Sequence, residues 1–362
     1  MLIGIDASRA NKLNKTGTEW YAFHLINELK KIDLSNQYIL YTREVLNSDW
    51  ENLPANFSVK ILHWKFKYIW THLRLSWEMI VNPLDILFVP AHSVPLIHRR
   101  RTIVTIHDLG FLHNSEIYHP LARLYHRLSA WWSVKKATKI ITISEFTKQD
   151  ILQRYNCPVD KIQVIPLGID YNFFHNKVDT TEILKHFKIF NKYFLYIGRI
   201  EKKKNIKLLI TAWQLFVKKY PEYKLILAGR DGYGSEELNK EIASLPSICK
   251  LGYITEKEKV ALLQSAEAFL FPSLFEGFGL PLLEAMAAGC PVISSNATSL
   301  PEVGGEACLY FNPTKADELN VLMSNLVNKN ESKDYLITAG FTRAQNFSWS
   351  RLANNTLQFL IK

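Results

Sequence analysis

Short apolar runs rich in Val, Ile and Tyr recur along the chain between stretches with helical periodicity. In the first half they fall at 2–6, 38–42, 59–63, 85–89, 102–107, 139–143 and 162–166. In the second half they fall at 193–198, 223–229, 248–252, 268–272, 291–294 and 308–311. Most lack clean alternation, as expected of parallel strands covered on both faces. Helical stretches at 18–31, 208–219, 256–264 and 282–288 lie between them. Alternating strands and helices predict two doubly wound α/β sheets. Pro166 and Gly168 interrupt the segment Ile165-Pro166-Leu167-Gly168-Ile169-Asp170, a polar stretch at 176–181 follows, and a new strand–helix pattern starts at Tyr193. The reading is one domain over 1–172, a second over 173–346, and a closing helix over 347–362. Ser348 suits the cap of that helix, and Trp349, Leu352, Leu357 and Leu360 supply its apolar stripe. The polar segment 328–334 reads as a surface loop. No fixed-period repeat or low-complexity tract is visible.

The composition fits this picture. A chain of 362 residues is too long for one small core. Hydrophobic residues at 48% and charged residues at 22% are those of an ordinary globular protein, which excludes global disorder. With Gly 15, Pro 14 and Cys 4, collagen-like, coiled-coil and disulfide scaffolds are excluded too. Cys157, Cys249, Cys290 and Cys308 form no C-x-x-C pair, so no zinc or redox spacing is present. Residues 1–6 lack the basic region and long apolar core of a signal peptide, and no window reaches 18 apolar residues. These features favour a cytoplasmic protein. The net charge of +10 is spread as about +6 over the first 170 residues and about +4 over the rest. Such an excess suits nucleic acid, anionic lipid or a phosphorylated ligand.

Four segments carry candidate chemistry. The first runs from Phe275 through Glu276, Gly277, Phe278, Gly279, Leu280, Pro281 and Glu284 to Gly289, leaving a strand and opening a helix. Pro281 suits the first helical position and Gly289 the end. Gly277 and Gly279 permit close backbone approach, and the helix N-terminus favours an anion such as phosphate. Glu276 and Glu284 are placed to accept hydrogen bonds from sugar hydroxyls of one elongated ligand. The same pattern suits a Gly-rich turn with Glu284 helped only by the helix dipole, and locally the two readings are not separated. The second segment, Tyr196-Ile197-Gly198-Arg199-Ile200-Glu201-Lys202-Lys203-Lys204-Asn205, leaves a strand end of the kind that faces a ligand crevice. Arg199 and Lys204 there could neutralise a diphosphate without a metal; a solvated basic loop is the plainer alternative. The third, Thr105-Ile106-His107-Asp108-Leu109, ends a strand on a histidine that is either structural or a ligand contact. The fourth, Lys15-Thr16-Gly17-Thr18-Glu19, precedes a long helix. It holds one glycine, so no dinucleotide fingerprint is present, and no Walker A sequence occurs.

Together these segments resemble the retaining glycosyltransferases of family 4, notably bacterial mannosyltransferases of surface-polysaccharide assembly. Glu276 and Glu284 match the E-x7-E motif of that family, and Arg199 and Lys204 match its G-R-x4-K pair. Ala287-Ala288-Gly289-Cys290-Pro291-Val292-Ile293 and Leu300-Pro301-Glu302-Val303-Gly304-Gly305 are similar to its downstream pattern. His107-Asp108-Leu109, Ser144-Glu145-Phe146-Thr147-Lys148 and the 165–170 segment look like its N-terminal landmarks. The resemblance covers nearly the whole chain in order. It implies a GT-B fold, with two Rossmann-like domains facing across a cleft and a final helix returning to the first. It implies a nucleotide-sugar donor on the second domain and an acceptor on the first. By this resemblance Arg199 and Lys204 stabilise the departing diphosphate, a contribution on the order of 3 kcal/mol for one lost donor. Glu276 holds donor-sugar hydroxyls with the amides of Phe278, Gly279 and Leu280, and Glu284 binds the ribose. Gly198 belongs to the donor site, His107 contacts the sugar near C6 or the reacting centre, and Gly17 lets the first loop close over the diphosphate. No catalytic base is named. Asn205 stands where many relatives have glycine, and Glu19 where some carry arginine, two departures from the family's commonest form. No D-x-D motif occurs, so no metal or other cofactor is expected.

The stretch 60–101 holds Lys60, Lys65, Lys67, Arg74, Arg99, Arg100 and Arg101 against Glu78 and Asp85, interleaved with Trp64, Phe66, Tyr68, Trp70 and Trp77. Bases among aromatics suit peripheral contact with a membrane, useful for a lipid-linked acceptor; aromatics in the core and ordinary surface bases are the alternative. GDP-mannose is the first expectation for the donor, with UDP-sugars open. A nucleic-acid binder has charge alone in its favour, and no nucleic-acid partner is expected. A nicotinamide dehydrogenase lacks its glycine fingerprint. An inactive sugar-nucleotide binder is the further alternative, although both glutamates, Arg199 and Lys204 are present.

Overall fold

The computed structural model describes the chain from Met1 to Lys362 apart from residues 14, 51–52, 67–68, 99–100 and 114–118, and apart from the side chains of 330–332. It forms two compact units, Met1–Gly168 with Ser348–Lys362, and Ile169–Phe347. In the first, β1 (Leu2–Asp6), β2 (Gln37–Thr42), β3 (Phe57–Ile61), β4 (Ile86–Val89), β5 (Thr102–Ile106), β6 (Lys139–Thr142) and β7 (Ile162–Val164) pair in the order β3-β2-β1-β4-β5-β6-β7. In the second, β8 (Tyr193–Ile197), β9 (Lys224–Ala228), β10 (Ile248–Gly252), β11 (Ala268–Phe271), β12 (Val292–Ser295) and β13 (Cys308–Phe311) pair in the order β10-β9-β8-β11-β12-β13. The ladders of both sheets are parallel. Two doubly wound α/β units are thus present, as the strand–helix alternation predicts.

The burial pattern explains why alternation was missing. Strands β4, β5 and β11 are buried at every position, because helices cover both faces. The edge strands β3 and β10 are only partly buried. On one face of the first sheet, Trp70, Leu75 and Met79 of helix Trp70–Val81, Ala130 and Val134 of Pro120–Lys136, and Ile151 of Glu145–Arg154 pack on Leu87, Val104 and Ile140. In the first unit the helices Gly17–Ile32 and Trp349–Ile361 pack together, with His24 stacked on Trp349 at 4.4 Å. Ser348 caps the final helix by accepting the Arg351 N–H at 3.2 Å. In the second unit Phe194, Trp213, Phe216, Leu225 and Leu270 anchor the core. Each large apolar side chain buried this way contributes about 1.5–3 kcal/mol.

Three expectations change. The third strand is Phe57–Ile61 rather than 59–63, because Phe57 pairs with Tyr38 and stacks on it at 4.3 Å. The segment 328–334 is no loop: helices Ala316–Asn328 and Asn330–Gln345 nearly abut, and Lys333 is held by Glu267 at 2.8 Å. The basic, aromatic stretch 60–101 divides. Trp70 is fully buried with its Nε1 donating to Leu62 O, since it starts a helix whose inner face covers the sheet. Lys60 and Arg74 pair with the buried Glu78, and Arg101 donates to Leu360 O. Phe66 and Trp77 are exposed, and Lys67, Tyr68, Arg99 and Arg100 lie outside the described residues. Among the described residues no helix is long and apolar enough to cross a membrane.

Each sheet order reverses once, between β1 and β4 and between β8 and β11. Loops leaving the strand C-termini diverge at such a point and open a crevice there.

Candidate active site

In the second unit, the two motif segments leave the two strands that flank the reversal. Residues Gly198–Lys204 follow β8, and Pro272–Gly279 follow β11. The loops are tied directly: the Leu274 N–H donates to Lys203 O at 2.9 Å, and Lys204 Nζ donates to Glu276 Oε1 at 2.5 Å. Lys204 and Glu276 are each 15% exposed, so the pair is sheltered yet reachable. Lys204 also sits 5.3 Å over the Phe271 ring. Asn205 adopts left-handed backbone at φ 58°, and its Nδ2 donates to Pro313 O at 2.8 Å. The turn that a glycine would make is therefore kept by asparagine, which tolerates this region. Arg199 is 62% exposed, with Glu201 3.9 Å away, and the Gly198 N–H donates to Ala228 O at 2.9 Å.

The Glu276 backbone is clamped by residues the sequence did not single out. Thr298 Oγ1 accepts the Glu276 N–H and donates to Glu276 O, both at 3.0 Å. Ser299 Oγ lies 3.0 Å from Glu276 O and 2.9 Å from Phe278 O. Thr298 holds a left-handed φ of 54°, an uncommon conformation for a β-branched residue and one that marks a constrained site. Phe278 is buried edge-on to Phe347 at 5.9 Å. Gly279 is the N-cap of helix Leu280–Ala287 at φ 106°, and an added Cβ would lie 2.6 Å from Leu300. Leu280 consequently takes the first helical position and Pro281 the second. Pro281 has no N–H and the Leu282 N–H donates to Gly279 O at 3.0 Å, so this first turn offers fewer amides to a ligand than an ordinary helix start.

Glu284 sits inside that helix and is held by a different cation. Lys259, on helix Glu256–Ser265, lies 3.2 Å from both Glu284 oxygens and 2.8 Å from Glu256. Burial alone would lower the Lys259 pKa, but the two carboxylates raise it, so it stays charged. The structure thus joins Glu276 to Lys204 and Glu284 to Lys259, rather than gathering both acids on one cation. Lys259 had no signal in the sequence beyond lying on a helix.

In the first unit, His107 follows β5 next to the other reversal. Its Nε2 lies 2.9 Å from Pro90 O, at the end of β4. A carbonyl only accepts, so Nε2 carries the hydrogen and Nδ1 is the acceptor. Tyr21 packs edge-on against the ring at 4.8 Å, and burial lowers the His107 pKa, keeping the imidazole neutral. His92 lies 5.3 Å away in left-handed backbone at φ 36°, its pKa held far below the usual by burial and by His107, Arg9 and His126. At the end of β1, the buried Asp6 accepts from Ser8 N and Ser8 Oγ at 3.0 and 2.6 Å. Thr16 caps helix Gly17–Ile32 in a capping box with Glu19. Glu19 is bound by Lys12 at 2.9 Å and Arg9 at 3.2 Å. The unexpected acid in the first turn of this helix is therefore matched by two bases that sequence reading passed over. Gly17 needs no glycine for the fold: an added Cβ meets nothing within 4 Å.

The model of the family described as glycosyl transferases group 1 matches residues 180–343, and that of glycosyltransferase family 4 matches 15–173. The O-antigen chain mannosyltransferase B of Escherichia coli is 33% identical over 268 residues, 72% of this chain and 70% of that protein. The chain belongs to the group 1 and family 4 glycosyltransferases. As a glycosyltransferase it is a hexosyl-transferring enzyme, which sets aside the dehydrogenase alternative. It is also 28% identical over 277 residues to a serotype-specific mannosyltransferase of Escherichia coli, 74% of this chain but about a third, 33%, of that protein's length. Its fold is similar to that of HepE from Anabaena in complex with UDP-glucose, with TM-score 0.75, 16% identity, and 99% and 98% of the two chains covered. The two Rossmann-like units of this glycosyltransferase are accordingly those of the GT-B fold.

Proposed function

We propose that the chain transfers a hexose, with mannose the first assignment, from a nucleoside-diphosphate sugar to a glycan or lipid-linked acceptor in cell-surface polysaccharide or glycolipid assembly, with retention of anomeric configuration. The relatives' names support the mannosyl assignment and the polysaccharide setting. The observation that carries the reading is the junction of Lys204 with Glu276 at the strand reversal, ahead of the Leu280–Ala287 helix. It supports the reading because a cation suited to phosphate and a carboxylate suited to hydroxyls stand on two loops tied together.

In this reading Arg199 and Lys204 take the diphosphate. Glu276 and the amides of Phe278, Gly279 and Leu280 take the sugar, and Glu284 takes the ribose. Gly198 and Gly17 allow close backbone approach, and neutral His107 offers Nδ1 to a sugar hydroxyl. The acceptor oxygen bonds to the anomeric carbon on the face the diphosphate leaves. The bond from that carbon to the phosphate oxygen breaks, and the acceptor proton passes to that oxygen. Fixed cations beside the developing negative charge lower the barrier. The donor is assigned as GDP-mannose; UDP-sugars belong in the same screen because HepE is solved with UDP-glucose. With two protein cations on the diphosphate, activity is expected to survive EDTA. The setting implied is the inner face of a membrane, with the protein peripheral to it.

The test is transfer measured with GDP- and UDP-sugars, with product anomers read by proton NMR. Lys204→Ala and Glu276→Gln are expected to keep the fold and lower kcat roughly 10²–10³-fold. Full activity in Glu276→Gln and Glu276→Ala would overturn the site, and an inverted anomer would overturn retention.

A further inference from the structure

Two helices of the first unit turn apolar side chains outward. On Pro120–Lys136, Leu121, Leu124, Tyr125, Leu128 and Trp131 are 72, 51, 43, 59 and 49% exposed. They stand at i, i+3, i+4, i+7 and i+10, one stripe of a helix. The inner side is held by Ser129, Ala130, Ser133 and Val134. Small and polar residues thus face the core while leucines face solvent, the reverse of an ordinary surface helix. On Trp70–Val81, Leu73, Trp77 and Ile80 repeat the pattern at 43, 62 and 52% exposure. The stripes are neighbours, since Tyr125 Oη and His72 Nε2 lie 3.0 Å apart. Between them, Leu96 and Ile97 are also exposed, pinned through their N–H groups to His72 O and Ser76 Oγ. A contiguous apolar face of this kind marks an interaction surface.

Charge selects the occupant. The Pro120–Lys136 helix carries Arg123, Arg127, Lys135 and Lys136 and no acid. The acid of Trp70–Val81, Glu78, is buried and paired with Lys60 and Arg74. A second copy docking through the same face would set cation against cation, which opposes self-association. An anionic bilayer satisfies both features, taking leucine and tryptophan at the headgroup boundary and lysine and arginine at the phosphates. We propose that this face seats the protein on an anionic lipid surface, with the Pro120–Lys136 helix lying in the interface. The seat takes in Leu73, Trp77, Ile80, Leu96 and Ile97 of the stretch 60–101 and adds the Pro120–Lys136 helix, which sequence reading passed over; it rests on the peripheral setting proposed above and not on which donor and acceptor the active site takes.

The test is flotation with vesicles of phosphatidylcholine alone or mixed with phosphatidylglycerol, at low and high salt. The protein is expected to float with the anionic vesicles at low salt and to be released by salt. Replacing Arg127, Lys135 and Lys136 by serine is expected to weaken binding roughly a hundredfold. Leu124→Glu with Leu128→Glu is expected to abolish it while circular dichroism stays unchanged. Absence of flotation at low salt overturns the proposal, as does full binding by either folded variant. A wild-type dimer, seen by light scattering and dissolved by the Leu124 and Leu128 changes, overturns it in favour of a second copy. If the leucine variant fails to fold, the exposed-cation variant decides alone.

Discussion

Two residues in the first turn of helix Gly17–Ile32 show how a single position divides between fold and chemistry. Glu19 is nearly buried, and burial alone would raise its pKa. Hydrogen bonds from Thr16 and Lys12, with the charges of Lys12 and Arg9, lower it instead to about 2. A carboxylate whose folded pKa lies below its unfolded value adds stability above the unfolded pKa and loses it as pH falls toward the folded one. Glu19→Gln is therefore expected to cost about 1–3 kcal/mol at pH 7. The difference from the parent should shrink between about pH 4.5 and pH 2, read by urea unfolding at a series of pH values. Gly17 behaves oppositely. Its surroundings leave room for a Cβ, so Gly17→Ala should keep the melting temperature. If this turn approaches a diphosphate, the same change should lower kcat/KM roughly 10- to 100-fold, since small misplacements at a reacting centre are costly.

At the level of elements, the turn between Lys202–Lys204 and Ile206–Val217 sets where Lys204 points. Asn205 makes that turn in left-handed backbone and ties it to Pro313. Asn205→Gly should change stability by about 1 kcal/mol or less, trading a hydrogen bond for conformational ease. Asn205→Val should cost about 2 kcal/mol, and because Lys204 follows the turn, its kcat should fall as well. Urea unfolding beside a transfer assay separates the two effects. The strands and the candidate site loops were legible because apolar runs and Gly-Pro punctuation are local. Glu276, Lys204 and Arg199 could be nominated because their segments leave strand ends. What was not legible is tertiary. Lys259 reaches Glu284 from another helix, Thr298 and Ser299 clamp Glu276 across 22 and 23 residues, and Arg9 and Lys12 fold back on Glu19. Trp70 shows the same blindness from the other side. In a basic, aromatic sequence it reads as surface, yet its helix turns it into the core.

For the whole molecule, the first unit is built from two distant parts of the chain. Its last piece, Trp349–Ile361, buries Trp349, Leu352 and Leu360 and packs along Gly17–Ile32. Arg101 and Lys139, at the starts of β5 and β6, donate to Leu360 O and Phe359 O. The sheet carrying His107 is therefore fastened by residues that follow the entire second unit in sequence. Three large side chains at about 1.5–3 kcal/mol each amount to much of a domain's net stability of about 5–15 kcal/mol. Removal of 348–362 is thus expected to unfold the first unit selectively. Hydrogen exchange read by mass spectrometry should show β1, β4 and β5 losing protection while β8, β9 and β11 keep it, since Ile169–Phe347 forms its own core. Equal loss in both units would show that they fold as one cooperative body. Retained protection in both would show that the final helix is an accessory to the first unit and not a part of its core.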